Sequence, residues 1–374
     1  MPPIVIDLRK ADDSRDVVHQ AVQTLAEGKL VVFPTETVYG VGASACSAEG
    51  VERLFEAKGR STDVPFALAI KSAEEALDYV PELDRLAQRL ARRCWPGPVT
   101  LVVDQQPEQG LVGRLPERVR QAVVPNGTLG LRVPAHRTVL EVLRMLAGPI
   151  ALTSANLSGE PDAVNAEQAI ESLGDHIALV INDGPSRYGQ PSTVVRTGDK
   201  QYECLREGVL STNALERLSS MIVLMVCTGN TCRSPMAEAI ARSLIAEKLG
   251  CPVEELEQRG IIVASAGIAA VPGCGPAAEA VAVMKEKGLD VTRHESQPLT
   301  DKLARHADVI FTMTNGHRQA ILRRWPDASS RTHALRDDEQ DIQDPIGGSA
   351  GVYRECAEQV ENALRKRIEQ IEFS

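Results

Sequence analysis

Two groups of residues in the sequence have the types and spacing of catalytic machinery. The first is the run CTGNTCRSP, which begins at Cys227 and contains Arg233 six positions later. A cysteine thiolate is a nucleophile, and a planar guanidinium can bind two oxygens of a phosphate group. The spacing predicts phosphate chemistry, in which Cys227 attacks phosphorus and Arg233 stabilises charge on the transferring group.

The flanking sequence predicts where these two side chains lie. A continuous apolar run, Ile222 to Val226, comes immediately before Cys227 and is typical of a strand covered on both faces. Ser234 and Pro235 suit the N-cap and the first position of a helix, whose apolar residues recur at helical spacing. The motif therefore lies at a strand-to-helix turn, where unpaired backbone N–H groups attract a phosphate dianion and favour a thiolate.

The same two residues also have a simpler interpretation. A cysteine and an arginine six positions apart often occur by chance, as a buried thiol and a surface charge. Here a strand, a glycine, an asparagine, a serine and a proline all fall in register with them. The combination favours a catalytic loop over coincidence.

A second set of candidate residues is spread over the N-terminal half. No Walker-A motif occurs, and no G-x-G-x-x-G motif follows a strand, so a nucleotide needs another binding arrangement. Basic and hydroxyl or amide residues are available for it, although each pair taken alone suits a solvated helix end or a loop. The segments of interest are FPTETVYGVG (33–42), EAKGR (56–60), WPGPVTLV (95–102), LGLRVPAH (129–136), LTSANLSGEP (152–161), PSTVVR (191–196) and LREG (205–208).

Length and pattern predict two α/β domains. The chain has 374 residues, more than one hydrophobic core usually organises. Short β-branched runs alternate with amphipathic helix patterns in both halves, and the polar stretch STNALERLSS separates them. We predict domains at residues 1–212 and 221–374, joined by a linker at 213–220.

Composition suggests a globular cytoplasmic protein. Apolar residues make up 43% and charged residues 25%, and residues 1–220 and 221–374 have net charges of −6 and −4, which disfavours tight nucleic-acid binding. The eight cysteines include no C-x-x-C pair, which fits reduced thiols better than disulfides or a metal site. No apolar segment reaches membrane-spanning length, and the first residues lack the apolar core of a signal peptide. We therefore expect a cytoplasmic protein with no membrane partner.

The C-terminal residues closely resemble the low-molecular-weight protein-phosphatase family. Members have the loop C-x-G-N-x-C-R-S-P and an Asp-Pro pair near the C-terminus, and this chain has both, the second as Asp344-Pro345. The resemblance covers nearly all of residues 221–374, including SAG at 265–267 and ADVIFTMT at 307–314. It implies a Rossmann/flavodoxin-like parallel sheet flanked by helices, and hydrolysis of phosphoproteins without a cofactor.

This resemblance also implies roles for individual residues. Asp344 would protonate the leaving group and then activate water, although read alone it equally suits a surface turn. Asn230 and Ser234 would hold the thiolate and the shape of the loop. The catalytic residues would be Cys227, Arg233 and Asp344, and the phosphate loop would comprise Thr228, Gly229, Asn230, Thr231, Cys232 and Ser234.

Two positions depart from the tyrosine-directed members and bear on the substrate. Thr231 stands where those members usually have a bulky aliphatic residue, and Ile346 follows Asp-Pro where they usually have an aromatic ring. A hydroxyl in place of an apolar wall favours a polar, planar guanidinium, and the loop looks like that of the bacterial protein-arginine phosphatases. We expect phosphoarginine to be favoured over phosphotyrosine, unless Thr231 simply fills space.

Cys232 lies inside the loop and has two interpretations. A reversible disulfide with Cys227 would protect the nucleophile from over-oxidation. A packed small hydrophobic side chain explains its presence equally well. The formation of an intramolecular disulfide under peroxide distinguishes the two.

Taken together, the N-terminal segments resemble the YrdC-type family, the L-threonylcarbamoyl-adenylate synthases, over residues 1–212. The resemblance implies an α/β fold with a twisted mixed sheet and helices. It also implies condensation of L-threonine, bicarbonate and ATP, with Mg²⁺ on the ATP phosphates, to threonylcarbamoyl-AMP and pyrophosphate; tRNA is involved only indirectly, through its modification pathway. Nucleotide contacts would come from Lys58, Arg60, Ser154, Asn156 and Arg206, and threonine contacts from Thr35, Arg132, Thr153 and Ser192.

One departure leaves alternatives open in the N-terminal half. Family members usually have a histidine at the end of the apolar run after Pro65, where this chain has Ala69. The leading hypothesis is a bifunctional enzyme. One alternative is a protein-tyrosine phosphatase regulated by a catalytically inactive nucleotide- or RNA-binding module, and another is a C-terminal domain that only binds phosphate. The retained Lys58 and Arg60 argue against the first alternative, and the retained Asp344 against the second.

Overall fold

A computed structural model describes residues 2–59, 64–198, 201–338 and 340–373. The chain forms two compact units, Met1–Leu218 and Ser219–Ser374. Each unit has its own sheet, covered by helices, and its own apolar cores. The prediction of two α/β domains is confirmed.

The N-terminal unit is built on a mixed ten-stranded sheet in the order β1-β8-β2-β3-β7-β4-β6-β5-β9-β10. The sheet contains both parallel pairs, such as β2 with β8, and antiparallel pairs, such as β3 with β7, as predicted for this half. The strands are β1 (Ile4–Asp7), β2 (Val31–Phe33), β3 (Gly40–Ser44), β4 (Ala67–Ala69), β5 (Val99–Asp104), β6 (Thr128–Arg132), β7 (Ile150–Ser154), β8 (Leu179–Asn182), β9 (Thr193–Gly198) and β10 (Gln201–Arg206).

Helices pack on this sheet, and two apolar clusters lie between the layers. The second helix begins after the N-cap Ser47, whose hydroxyl accepts from the Gly50 N–H, and it ends at Lys58 because Gly59 adopts the left-handed conformation, with φ of 57°. The helices are α1 (Ser14–Ala26), α2 (Ala48–Lys58), α3 (Ala76–Tyr79), α4 (Arg85–Cys94), α5 (Glu117–Val123), α6 (Arg137–Met145), α7 (Ala166–Leu173) and α8 (Thr212–Ser219).

The segment predicted as a linker, residues 213–220, lies mostly within helix α8. Leu215 is 1% exposed and belongs to the larger apolar core of the N-terminal unit. The Arg93 guanidinium donates to the Leu218 carbonyl oxygen at 2.6 Å. This segment is therefore packed as part of the N-terminal unit, since the polar sequence carries apolar residues at helical spacing.

The C-terminal unit has a fully parallel four-stranded sheet in the order β12-β11-β13-β14. This is the predicted parallel sheet flanked by helices. The strands are β11 (Met221–Cys227), β12 (Ile261–Gly267), β13 (Val309–Thr312) and β14 (Thr332–Ala334), and the helices are α9 (Arg233–Leu249), α10 (Ala278–Glu286), α11 (Asp301–His306), α12 (Asn315–Arg324) and α13 (Ala350–Gln370).

Strand β11 is central, and this explains its continuous apolar sequence. Val223 and Met225 face one apolar cluster, whereas Leu224 and Val226 face another on the opposite side of the sheet. Both faces are covered, so no alternation with polar residues is needed. Strand β11 ends at Cys227. The connection after β11 leads to β12 on one side, whereas the connection after the adjacent β13 leads to β14 on the other side. Ligands of such folds usually bind at the carboxyl ends of the strands where the connections diverge in this way. Across the described part of the chain, we find no helix with the length and apolarity to span a bilayer.

Candidate active sites

The C-terminal site is a tight loop between strand β11 and helix α9. The strand ends at Cys227 and the helix begins at Arg233, as the sequence predicts. The Cys227 thiol is buried, and its sulfur accepts from the Asn230 backbone N–H at 3.2 Å and lies 3.0 Å from the Ser234 hydroxyl. The thiolate is the nucleophilic form of the side chain, and both groups can donate a hydrogen bond to it.

The shape of the loop depends on Asn230. Its φ is 57°, a left-handed conformation that asparagine tolerates better than most residues other than glycine. Its buried amide nitrogen donates to the hydroxyls of Ser234 and Ser265, each at 2.9 Å, and its amide oxygen accepts from the Gln297 N–H at 2.8 Å. Both the nitrogen and the oxygen of the side-chain amide therefore have hydrogen-bond partners, and these bonds hold the loop in its conformation.

Further support for Asn230 comes from residues that the sequence analysis did not single out. His294 places Nε2 2.8 Å from the Asn230 carbonyl oxygen, and the Ser265 hydroxyl donates to Glu238 at 2.6 Å. Ser265 lies in the SAG segment on which the family resemblance rests, so the sequence indicates its importance. Nothing in the sequence indicates a role for His294 or Glu238, because each lies on a separate element that only the folded chain brings to the loop.

Gly267, at the end of strand β12, allows the loop to pass close to the strand. A Cβ atom there would lie 2.4 Å from the Thr228 carbonyl oxygen and 3.0 Å from the Asn230 nitrogen. We expect Gly267→Ala to lower the free energy of unfolding by about 1–3 kcal/mol and to reduce phosphate-ester hydrolysis, because the loop backbone must move. Urea unfolding and p-nitrophenyl phosphate turnover measure both effects. Gly275→Ala is the matched control, since a Cβ at that position meets nothing within 4 Å; equal behaviour of the two variants would contradict the prediction.

The structure brings Arg233 and Asp344 together at the mouth of the loop. Arg233 is 4% exposed; its Nη1 donates to the Ile342 carbonyl oxygen at 3.1 Å, and its Nη2 forms an ion pair with the Asp344 carboxylate. Nη2 also donates to the Thr228 hydroxyl at 3.5 Å. The three predicted catalytic residues therefore come from three separate places: a strand end, a helix start and the segment before α13.

Cys232 lies in the loop next to Thr231 and packs against Tyr353 of helix α13. Its sulfur lies 3.3 Å from the Tyr353 hydroxyl oxygen and 3.7 Å from the Thr231 hydroxyl oxygen. Burial and the bond to Cys232 raise the pKa of Tyr353, so its hydroxyl keeps its proton. Both Cys227 and Cys232 are free thiols here, and the disulfide between them stays a prediction.

The N-terminal site is a cavity of about 290 Å³ over one face of the mixed sheet. Its walls include the residues predicted to bind threonine, together with two of those predicted to bind the nucleotide. Ala69 also lines it, at the place where the family usually has histidine. Among the predicted residues, the cavity brings together Thr35, Arg132, Thr153, Ser154, Ser192 and Arg206. Arg60 lies outside the described residues.

Arg132, at the end of strand β6, is held by a buried carboxylate. Its Nη2 donates to Glu36 at 2.8 Å and to the Thr37 hydroxyl at 2.9 Å, and the other Glu36 oxygen accepts from the Ala135 N–H at 2.9 Å. Glu36 and Arg132 are both less than a tenth exposed. Glu36 lies in the segment FPTETVYGVG, but no spacing in the sequence identifies Glu36 as the partner of Arg132.

Lys58 lies behind the cavity wall and binds the loop that follows strand β7. Its side chain is 3% exposed, and its ammonium donates to the Ser154 carbonyl oxygen at 2.8 Å, to the Asn156 amide oxygen at 3.2 Å and to the Asn156 carbonyl oxygen. The Ser154 hydroxyl donates to the Asn156 amide oxygen at 2.5 Å. Lys58 thus organises the predicted S-x-N pair, and its direct contact with a triphosphate stays a prediction.

Arg206 and Ser192 form another part of the same wall. Arg206 donates to the Ser192 carbonyl oxygen at 2.9 Å and to its hydroxyl at 3.2 Å, and that hydroxyl lies 2.9 Å from the Thr100 hydroxyl oxygen. The Thr35 hydroxyl donates to the Val38 carbonyl oxygen at 2.6 Å. Hydroxyl and guanidinium groups therefore line the cavity together with apolar side chains such as Val38, Phe66 and Leu152, as is usual in small-molecule sites.

Comparison with known proteins matches each unit to a family model. Residues 23–208 match the model of the Sua5/YciO/YrdC family, described as "telomere recombination", and residues 222–373 match that of the low molecular weight phosphotyrosine protein phosphatases. A Mycobacterium tuberculosis protein named "putative threonylcarbamoyl-AMP synthase" is 39% identical over 210 residues, which are 56% of this chain and 90% of that protein. The chain belongs to the Sua5/YrdC family. Its C-terminal unit is a low-molecular-weight phosphatase domain.

The Sua5 relatives differ from this chain in extent. The threonylcarbamoyl-AMP synthase of Pyrococcus abyssi is 37% identical over 217 residues, which are 58% of this chain and 60% of that protein. This chain thus spans about three fifths of the length of that relative.

Solved structures similar to the chain include one for each unit. The crystal structure of P. abyssi Sua5 complexed with L-threonine has 27% identity and a TM-score of 0.51, covering 70% of this chain and 91% of its own. The YwlE arginine phosphatase from Geobacillus stearothermophilus has 35% identity and a TM-score of 0.35, covering 40% of this chain and 92% of its own.

Proposed function

We propose that the phosphatase domain removes phosphate from proteins through a covalent cysteine intermediate. The observation that carries this is the Cys227 sulfur, buried within hydrogen-bond reach of the Asn230 N–H and the Ser234 hydroxyl, in a loop that also holds Arg233. Attack of the thiolate on phosphorus forms the S–P bond and breaks the bond to the leaving group. Arg233 stabilises the charge on the transferring phosphoryl oxygens.

Asp344 supplies the proton chemistry of this proposal. Its side chain is 41% exposed, so it can meet both the leaving group and water. As the acid it donates a proton to the departing atom, and as the carboxylate it then takes a proton from the water that attacks the phosphocysteine. Phosphate leaves and the thiolate returns, which closes the cycle.

We propose that phosphoarginine is the favoured substrate. Thr231 places a hydroxyl beside the loop, and Ile346, next to the Asp344-Pro345 pair, is 71% exposed and offers an aliphatic wall in place of a ring. A guanidinium gains hydrogen bonds from a polar wall, whereas a phenol gains from apolar and aromatic walls.

The full chain tests this preference on phosphoarginine and phosphotyrosine peptides side by side. We expect higher kcat/KM on phosphoarginine, and we expect Thr231→Ile to shift the ratio towards phosphotyrosine by about tenfold. Thr292→Ile, at an exposed turn of the same unit, is the control for the added apolar surface. A preference of the wild type for phosphotyrosine would contradict the proposal and would identify the domain as a protein-tyrosine phosphatase.

We propose that the N-terminal unit is a threonylcarbamoyl-AMP synthase. Six of the predicted binding residues surround one cavity, and the relatives named for this activity match the same part of the chain. The reaction joins L-threonine, bicarbonate and Mg²⁺-bound ATP and releases threonylcarbamoyl-AMP, pyrophosphate and water. Arg132 would face the threonine carboxylate, while Ser154, Asn156 and Arg206 would contact the nucleotide.

Pyrophosphate exchange into ATP tests this activity in the full chain. We expect exchange that requires both L-threonine and bicarbonate. The competing hypothesis, a catalytically inactive module that regulates a tyrosine phosphatase, is favoured by Ala69 in the cavity wall and predicts no exchange. Both reactions would take place in the cytoplasm, and tRNA would receive the product through other proteins.

A further inference from the structure

A buried histidine contacts the phosphate loop from helix α12. His317 is 6% exposed, and its Nε2 lies 2.8 Å from the Thr228 hydroxyl oxygen. Its backbone N–H donates to the Thr314 hydroxyl at 3.1 Å, which caps the helix. The imidazole is therefore held in place by the start of α12, with one ring nitrogen directed at the loop.

The direction of the hydrogen bond follows from the other partner of Thr228. Arg233 Nη2 donates to the same hydroxyl oxygen at 3.5 Å, and a guanidinium has no acceptor. The single hydroxyl proton is then available to His317, whose Nε2 accepts it. Nε2 accepts it when the neutral ring carries its proton on Nδ1, which is buried and, among the residues that the structure describes, has no hydrogen-bond partner.

The electrostatic surroundings agree with a neutral ring. Burial and the nearby Arg233 charge lower the pKa of His317 to about 4, and Asp341 and Asp344 oppose this only in part. At neutral pH the imidazole is therefore neutral and adds no charge to the loop.

The Thr228 contact differs from the other two that Arg233 makes. Ile342 and Asp344 bind the guanidinium from the segment before α13, and Asp344 must leave Arg233 to protonate a leaving group. Thr228 belongs to the loop itself, so its contact can persist through the reaction. We propose that His317 is a positioning residue for phosphoryl transfer, which fixes Arg233 by orienting the Thr228 hydroxyl. The proposal rests on the phosphatase function proposed above.

The test measures turnover of p-nitrophenyl phosphate by the full chain. We expect His317→Leu and Thr228→Val each to lower kcat about tenfold with KM within about twofold, the size expected for losing one hydrogen bond to a charged group. The double variant should match either single variant, because the two residues act through one chain of contacts. Thr228→Ser keeps the hydroxyl and should lose much less kcat than Thr228→Val.

The control is His333→Leu, which removes a half-buried imidazole from the same unit. Its ring packs near Phe311, with centroids 6.4 Å apart, and burial likewise lowers its pKa. Its kcat should equal that of the wild type. Unchanged kcat in Thr228→Val, or fully additive losses in the double variant, would overturn the positioning role. The Thr228 variants leave α12 intact, so they decide the matter even if His317→Leu does not fold. A wild type with no activity refutes the phosphatase proposal and the positioning role with it.

Discussion

Replacing Cys227 with serine will reduce phosphate-ester hydrolysis by a factor on the order of ten thousand or more, the scale on which loss of a nucleophile acts. The sulfur lies within hydrogen-bond distance of the Asn230 N–H and the Ser234 hydroxyl, which can donate to an attacking thiolate. A serine hydroxyl is far less acidic than a thiol and stays protonated in the same place, so it attacks phosphorus poorly. Steady-state turnover of p-nitrophenyl phosphate by the full chain measures the loss.

The control for this prediction is Cys251→Ser. Cys251 is a half-buried free thiol in the same unit, and it packs against the larger apolar core there. Its replacement should leave kcat unchanged and should lower stability only slightly. Comparable turnover by Cys227→Ser and the wild type would mean that hydrolysis does not pass through Cys227.

Replacing Lys58 with methionine will disable the N-terminal site. The ammonium donates to oxygens of Ser154 and Asn156, and a methionine of similar length removes all of these bonds, leaving the Asn156 amide oxygen with only the Ser154 hydroxyl as donor among the described residues. We expect the free energy of unfolding of this unit to fall by about 1–3 kcal/mol. Threonine-dependent pyrophosphate exchange should fall roughly a hundredfold or more, because the loop that would hold the nucleotide loses its position.

Lys29→Met is the matched control for the N-terminal prediction. Lys29 is 50% exposed and pairs with Glu27 at the surface, where such pairs contribute little to stability. Chemical unfolding and the exchange assay should both give wild-type values. Wild-type exchange in Lys58→Met would show that the loop keeps its shape without the ammonium.

The parts of the phosphatase site that the sequence predicted are contiguous in the chain. Cys227 and Arg233 follow a continuous apolar strand and open a helix, so local pattern was enough to place them at a strand-to-helix turn. Asp344 is distant in sequence, and only the family resemblance selected it among the neighbouring acidic residues. Contiguous motifs are predictable because one short piece of backbone positions every side chain in them.

The contacts that support the loop were not predictable, because the residues that make them are far apart in the sequence. His294, Glu238 and His317 each reach the loop from a different element, and no spacing in the sequence links them to Asn230 or Thr228. Strand order in the N-terminal sheet is another example. The short strand β4 lies between β7 and β6, which are both distant from it in the sequence. Strand β4 consists of only three apolar residues, and these do not indicate which strands will pair with it.

The packing of helix α8 decides where the chain can be cut to study the two units separately. A fragment cut at residue 212, where the sequence resemblance ends, would lose Leu215 from the apolar core and the carbonyl acceptor of Arg93. Such a fragment would expose apolar surface and tend to aggregate during expression. Its lack of activity in an assay would then be mistaken for the absence of an active site. A cut after Leu218, just before strand β11, keeps these contacts and leaves the phosphatase sheet complete.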